Sequence, residues 1–538
     1  MKIIIVGGVA GGMSAATRLR RLSEDAEIIV VERSGHVSFA NCGLPYHVGG
    51  VIEDRSALLL QTPESLAARF GIRVLVHHEV VGINRDERTV ELAAPDGQSS
   101  ESYDALILSP GARPVRPPIP GIDRALSLRD IEDTDAMVAA ISGDVRTAVV
   151  VGGGFIGIEV AENLRHKGLD VAIVEAADQV MAPLDPEMAA FVHRRLRENG
   201  VDLRLGAGVE SIGPDDVTLA DGSTLPADVV VAAIGVRADS TLADAAGLEV
   251  DEHGGIVVDE SMRTSDPAIY AVGDAVTKRD ALDGSAVMVP LANTANRQGR
   301  MVADVIMGGA AADRPVLGTA IVGVFGLQVA TTGWNAKRLT AAGREFRQIH
   351  THPSSHAGYY PGAAGLHLKL LVDPVTDEIL GAQALGEDGA DKRIDVIATA
   401  MAGGISASRL ADLELAYAPA FGSAKDPVNM LGYVARNMRE GTVETAQWNE
   451  VDERVGADAV LLDTRTPGEV ADGAIPGALN IPVDELRDRM DELPDGRVLA
   501  YCAVGVRGYL ASRILVQAGR EAVNLDGGYT TWKAATQG

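Results

Sequence analysis

Lys2-Ile3-Ile4-Ile5-Val6-Gly7-Gly8-Val9-Ala10-Gly11-Gly12 follows the first methionine, and its reading decides the fold. Lys2–Val6 is an aliphatic run without alternation, the pattern of a strand buried on both faces. The glycine turn leads into a helical stretch from Met13 to Leu22, and a second aliphatic run, Glu27–Val31, ends on Glu32. Strand, glycine turn, helix, strand and acid, in that order, describe a dinucleotide-binding unit. Glycines let the backbone approach a pyrophosphate, amides at the helix start bind it, and the carboxylate takes the ribose hydroxyls. Val9 stands where the middle glycine belongs, so this first motif is degenerate.

The pattern recurs in full about 145 residues later. Thr147–Val151 reads as a buried strand, Gly152-Gly153-Gly154-Phe155-Ile156-Gly157 is a complete GxGxxG, Ile158–Lys167 is helical, and Val171–Val174 ends on Glu175. Two units imply two dinucleotides. A glutamate at the second ribose position accepts a hydrogen bond from a free 2′-hydroxyl and repels a 2′-phosphate, and Ala176-Ala177-Asp178 brings no arginine. NADH is therefore expected over NADPH at Gly152, Gly154, Gly157 and Glu175.

Composition narrows the class. A chain of 538 residues is too long for one core, and 46% hydrophobic residues with a mean hydropathy of +0.09 suit a globular protein. Sixty glycines exceed ordinary usage, and a net charge of −27 argues against nucleic acid or anionic membrane as partners. The two cysteines, Cys42 and Cys502, are 460 residues apart, which excludes a disulfide scaffold and a zinc site built on several thiolates. MKIIIVGG resembles neither a signal peptide nor a bilayer span, so a reducing cytoplasm is expected.

Two further segments carry a resemblance. Ala105–Pro110 followed by Gly111 reads as a strand entering a sharp turn, and Thr264–Asp274 ends in Val-Gly-Asp. With the two glycine units, this order resembles the flavoprotein pyridine nucleotide-disulfide oxidoreductases. The resemblance implies that Gly7, Gly8, Gly11, Gly12, Glu32 and Arg33 hold the ADP half of FAD, with Ser109, Gly111, Gly273 and Asp274 as further flavin contacts.

Ser38-Phe39-Ala40-Asn41-Cys42-Gly43-Leu44-Pro45-Tyr46 follows the first unit. A thiolate at a helix start gains from the helix dipole, so a lowered thiol pKa is expected at Cys42. Glutathione-reductase-like members carry CxxxxC here, whereas this chain has His47 in the second position. The stretch resembles the single-cysteine branch instead: coenzyme A disulfide reductases, NADH oxidases, NADH peroxidases and persulfide reductases. Peroxidases of that branch carry His where this chain has Ala10, which counts against peroxide. The resemblance further implies that Ser14, Arg18, Arg21, Ser38, Asn41 and Lys425 hold coenzyme A; guanidinium groups suit its phosphates, and Arg18 and Arg21 read equally well as solvated helix charges.

From about Gly318 the pattern changes to short strands and hairpins, such as Leu366–Val372 before the turn Asp373–Asp377. The resemblance implies a dimerisation domain that completes the partner subunit's site. Tyr417, within Tyr417–Asn429, is then expected near the cysteine and flavin of the other subunit, with Tyr359 or Tyr360 beside it, and Tyr359 is the choice. Arg436–Val455 is polar and reads as a linker. Beyond it, Leu461-Leu462-Asp463-Thr464-Arg465, Gly473–Pro482, Cys502-Ala503-Val504-Gly505-Val506-Arg507 and Leu525-Asp526-Gly527-Gly528-Tyr529 resemble a rhodanese domain. A cysteine opening a glycine-containing turn into a helix lies under converging amides, an anion site that suits a thiolate or persulfide, and Arg507 adds positive charge.

The fold expected is α/β: two Rossmann-like domains for FAD (1–118 and 245–317) and NADH (119–244), an α+β dimerisation domain (318–440) and an α/β rhodanese domain (445–538). The function expected is an FAD-dependent homodimeric reductase that uses NADH on persulfides, polysulfides or CoA-linked disulfides through Cys42, while Cys502 handles sulfane sulfur. A plain coenzyme A disulfide reductase, an NADH oxidase and an FAD-binding redox sensor are the alternatives.

Overall fold

The computed structural model describes residues 1–310, 314–455 and 459–537; the parts of the expected flavin and rhodanese domains at 311–313, 456–458 and 538 lie outside the described residues. The chain forms two compact units, Met1–Asp178 with Gly200–Gly318, and Gln179–Asn199 with Thr319–Gly538.

The first unit holds two parallel sheets. One runs Ile269–Ala271, Ala105–Leu108, Lys2–Val6, Glu27–Val31, Arg73–Leu75, all parallel. Its central strands are buried because Ile3, Ile4 and Ile5 face protein on both sides, packed between the Ala10–Leu22 and Ala292–Ile306 helices and a second aliphatic layer. The other runs Asp202–Arg204, Asp170–Val174, Thr147–Val151, Val229–Ala232, again all parallel. In both, the helix after the glycine turn starts earlier than the sequence reading has it, at Ala10 and Phe155. The reason is steric. A Cβ on Gly12 would lie 2.0 Å from the Gly7 carbonyl oxygen, and one on Gly157 would lie 2.0 Å from that of Gly152. Only glycine lets the first helical turn sit that close to the strand it follows.

The second unit holds an antiparallel sheet ordered Ala320–Val324, Leu327–Gly333, Ile379–Gly386, Leu366–Val372, Arg347–Thr351. All eight residues of Ile379–Gly386 are buried, and the Ala390–Ala402 and Pro427–Arg439 helices close the core. The Pro186–Glu198 helix belongs to this unit, although the sequence reading counts it with the NADH domain. A parallel sheet follows, ordered Thr445–Ala446, Ala522–Leu525, Arg497–Tyr501, Ala459–Asp463, Leu479–Asn480. Arg436–Val455 is therefore no open linker. It finishes one helix at Arg439, contributes the Thr445–Ala446 strand, and continues into Val451–Val455. Ala446 and Val451 anchor it because they are apolar and bury in the core of the last sheet.

Candidate active site

Both glycine turns are built alike. Gly7 and Gly152 have positive φ (96° and 110°), and a Cβ on either would strike a facing carbonyl, Ser109 O at 2.1 Å or Ala233 O at 2.3 Å. Glu32 Oε2 accepts from Gly8 N at 2.8 Å, and Glu175 Oε2 accepts from Gly153 N at 2.7 Å. The other oxygen of each accepts from the backbone two residues on, Ser34 N at 2.9 Å and Ala177 N at 2.8 Å. Each acid thus ties its own turn together as well as presenting a carboxylate at the strand end. Gly11 packs against Ser109 and Val272, whereas a Cβ on Gly154 would meet nothing within 4 Å among the described residues. Arg33 is exposed and pairs with Asp239 at 3.6 Å, and Gly111 turns at φ 76°.

The flavin assignment can be tested on unsatisfied atoms. Gly273 (φ 81°) donates to Gln298 Oε1 at 3.0 Å, and Lys278 Nζ donates to Gly273 O at 2.8 Å. Asp274 Oδ1 and Gln298 Nε2 are buried without a partner among the described residues. An acceptor and a donor left unmet in protein point to a polar ligand, and ribityl hydroxyls and phosphate suit them. Burial pushes the Asp274 carboxyl up, and Lys278 counters it.

Cys42 lies in the single turn Asn41–Gly43 that precedes the short Leu44–Val48 helix, and its side chain is exposed. The expected lowering of its pKa is overturned. Partial burial, then the charges of Glu159 and Asp274, push the thiol up. A five-residue helix offers little dipole, and burial together with two carboxylates works against a lowered value. Two further residues join the site: Tyr46 donates to Glu159 Oε1 at 3.0 Å. Burial, then Glu159, raises the Tyr46 phenol, and burial raises Glu159. Sequence signals existed for both, since Tyr46 lies four residues beyond Cys42 and Glu159 two beyond the GxGxxG, but nothing in the sequence joins them.

Of the residues expected to hold coenzyme A, Ser14 donates to Asn296 Oδ1 at 2.5 Å. Arg18 is not a solvated charge: it pairs with Asp304 at 2.6 Å on the Ala292–Ile306 helix. Arg21 is exposed and donates to Thr17 Oγ1 at 3.3 Å. Ser38 takes positive φ (49°) with its N–H on Gly8 O at 2.7 Å, which ties the cysteine loop to the first glycine turn. Asn41 donates to Arg129 O at 2.5 Å. In the second unit Lys425 is exposed. There the Tyr359 and Tyr417 hydroxyls meet at 3.1 Å, with Tyr359 77% and Tyr417 48% exposed; Tyr360 turns instead onto His356. Phe421, 75% exposed, adds to this aromatic surface.

In the last sheet, Cys502 ends the Arg497–Tyr501 strand and is fully buried. Gly505 (φ 93°) caps the Val506–Gln517 helix. Arg507 is not a free charge: it forks onto Glu469 at 2.8 and 2.5 Å. That pair pulls the Glu469 carboxyl down to about 2 and raises Arg507, with Cys502 adding to the latter. The signal for Glu469 was Thr466-Pro467-Gly468-Glu469, a capping box at the start of the Pro467–Ala471 helix. A Cβ on Gly508 would lie 2.5 Å from the tip of the Asn524 side chain, Oδ1.

Comparison with known proteins agrees with this geometry. Residues 1–299 match the pyridine nucleotide-disulphide oxidoreductase family, 319–427 its dimerisation domain and 447–535 the rhodanese-like domain. A coenzyme A disulfide reductase of Staphylococcus aureus is 35% identical over 439 residues, 81% of this chain and all of the relative. The structure of reduced CoADR-RHD from Bacillus anthracis superposes with a TM-score of 0.98 at 47% identity, covering 100% of this chain and 98% of that one. A NAD-dependent persulfide reductase from A. fulgidus gives 0.93 at 38% identity, covering 99% and 100%. The chain is a flavoprotein of the pyridine nucleotide-disulphide oxidoreductase family, a disulfide or persulfide reductase with a C-terminal rhodanese domain.

Proposed function

We propose that the chain uses NADH to reduce persulfides, polysulfides or CoA-linked disulfides through Cys42, and that Cys502 carries sulfane sulfur. The supporting observation is an exposed thiol with no second cysteine in its unit. Such a thiol can form a disulfide only with its substrate. When bound, FAD passes two electrons from NADH to the sulfur bonded to Cys42. The Cys42 thiolate attacks the inner sulfur of a persulfide, the S–S bond breaks, and sulfide leaves; the resulting mixed disulfide is then reduced, taking up a proton, to free thiol and Cys42 thiolate. Beside that thiol the Tyr46 hydroxyl donates its proton into a hydrogen bond to Glu159 Oε1. Glu175 presents its carboxylate to a free ribose hydroxyl, which favours NADH over NADPH. Ser14, Arg18, Arg21, Ser38, Asn41 and Lys425 are assigned to the CoA moiety, with Arg18 exchanging Asp304 for phosphate. The exposed Tyr359–Tyr417 pair is assigned to face Cys42 of the partner subunit in a homodimer and to protonate the leaving thiolate. Two free thiols suit a reducing cytoplasm.

NADH oxidation with CoA persulfide, CoA disulfide, polysulfide and oxygen in parallel tests the reading. Turnover of CoA disulfide alone narrows it to a plain coenzyme A disulfide reductase, and preference for oxygen makes it an oxidase. Negligible rates with all four leave a redox sensor. A Cys42→Ser variant that keeps full sulfide release removes Cys42 from the chemistry.

A further inference from the structure

The second unit contains a buried chain of charges that the reductase chemistry does not use. His350, on the Arg347–Thr351 strand, has a fully buried side chain. Its Nδ1 meets Asp526 Oδ2 at 2.7 Å, and its own backbone N–H donates to the same oxygen at 2.9 Å. Its Nε2 meets Glu187 Oε1 at 3.0 Å. Lys369 then bridges Glu187 at 2.5 Å and Asp185 at 2.8 Å. Both ring nitrogens face carboxylate oxygens, an arrangement that favours the doubly protonated ring. Burial opposes that charge, and the hydrogen bonds to Asp526 and Glu187 overcome it.

Asp526 belongs to the rhodanese domain and directly precedes the turn Gly527-Gly528. That turn is packed on both sides. A Cβ on Gly527 would lie 2.8 Å from the Cβ of His350, and one on Gly528 would lie 2.4 Å from the carbonyl oxygen of Cys502. Directly after it, Tyr529 N donates to Cys502 O at 2.8 Å and Thr530 N to Ala503 O at 2.9 Å. Thr531 meets His352 Nε2 at 2.8 Å. The backbone of the Cys502 loop is thus held by a turn that is itself gripped from the neighbouring antiparallel sheet.

We propose that His350 is a positioning residue for the Cys502 loop: through Asp526 it fixes the turn that holds the loop's carbonyls, so the sulfur chemistry of the rhodanese domain depends on a side chain outside that domain. This rests on Cys502 as the sulfur carrier. In that step the Cys502 thiolate attacks the outer sulfur of a donor such as thiosulfate, the S–S bond breaks, sulfite leaves, and a persulfide remains on Cys502.

The test uses the full-length holoenzyme with Asp526→Asn, His350→Gln and the double variant. Two readouts are taken: persulfide formed on Cys502 from thiosulfate, and iodoacetamide alkylation of each cysteine followed by peptide mass spectrometry. Each single variant is expected to lower the Cys502 persulfidation rate constant about ten-fold with little change in thiosulfate KM, and to alter Cys502 alkylation while Cys42 alkylation and flavin content stay as in the wild type. The double variant, a neutral pair, is expected to recover part of the loss, a non-additivity that general destabilisation does not produce. Folded single variants with both Cys502 readouts within about two-fold of wild type overturn the proposal, as does strict additivity in the cycle. If wild-type Cys502 takes up no sulfur, the sulfur-carrier reading fails; alkylation of Cys502 then still decides whether His350 positions the loop.

Discussion

Gly154→Ala separates the fold from the ligand at the turn proposed to hold NADH. Gly154 has φ −80° and ψ −173°, ordinary backbone for any residue, and an added methyl meets nothing within 4 Å among the described residues. As the N-cap of the Phe155–His166 helix, alanine is poorer than glycine by a few tenths of a kcal/mol to about 1. Replacing glycine also removes unfolded-state entropy, a gain of about 0.4–1 kcal/mol. These offset, so folding stability should move by less than about 0.5 kcal/mol. On the proposed placement, by contrast, the pyrophosphate of the nicotinamide dinucleotide occupies the space the methyl fills, and overpacking costs about 1–3 kcal/mol. That corresponds to a rise of about 5- to 150-fold in the KM or Kd for NADH. Steady-state kinetics with saturating disulfide and urea unfolding of the same preparation measure both sides. Gly157→Ala is the contrast: its Cβ would lie 2.0 Å from Gly152 O, so stability itself should fall by about 1–3 kcal/mol or more. A folded Gly154→Ala protein with unchanged KM for NADH would refute the placement of the pyrophosphate over this turn.

Glu159→Gln removes a negative charge that holds the Cys42 thiol up, so alkylation of reduced Cys42 at pH 7 should rise about 2- to 5-fold; an unchanged or slower rate contradicts the assigned cause. Lys369→Met strips buried Asp185 of its cation and leaves Glu187 with His350 alone, and urea unfolding of the second unit should show a loss of about 3–5 kcal/mol; a loss under 1 kcal/mol by the same measure counts against the ion network. Glu469 has a folded pKa depressed to about 2 from 4.5, chiefly by Arg507, so its contribution is complete above pH 4.5 and is lost as pH falls through 2. The pair is about a third exposed, and solvent screening discounts it to about 1 kcal/mol or less. Glu469→Gln should therefore lower thermal stability slightly at pH 7 and not at all near pH 2, and an equal loss at both values sinks the linkage.

The two glycine turns were legible because steric demands leave a residue-type signature. Gly7, Gly12, Gly152 and Gly157 must each lack a Cβ, and the sequence shows it. The cysteine loops were legible for a similar reason, since each sits in a turn that leads into a helix, Cys42 before Leu44–Val48 and Cys502 before Val506–Gln517. What stayed hidden was long-range electrostatics. Arg18 meets Asp304 across 286 residues and His350 meets Asp526 across 176, and neither pairing leaves a local mark. The pKa of Cys42 went the wrong way for the same reason: the helix start is local and visible, while Glu159 and Asp274 arrive only with the fold. The Pro186–Glu198 helix reads as a continuation of the nucleotide unit, and its place with the antiparallel sheet follows from buried Asp185 and Glu187 finding Lys369. Arg507 and Glu469 lie between these cases, because the capping box was present in the sequence but its second duty was not.

The Thr445–Ala446 strand bears on how this protein can be divided. It pairs with Ala522–Leu525 at the outer margin of the last sheet, and Ala446 O also receives the N–H of Asp526. The rhodanese-like match begins at residue 447, directly after this strand, and so leaves it out. A fragment cut to that boundary would strip the margin and leave the amides and carbonyls of Ala522–Leu525 open to pairing with other chains, an invitation to aggregate. The portable module is thus longer than its homology suggests, and its first two residues are the ones that keep it solitary.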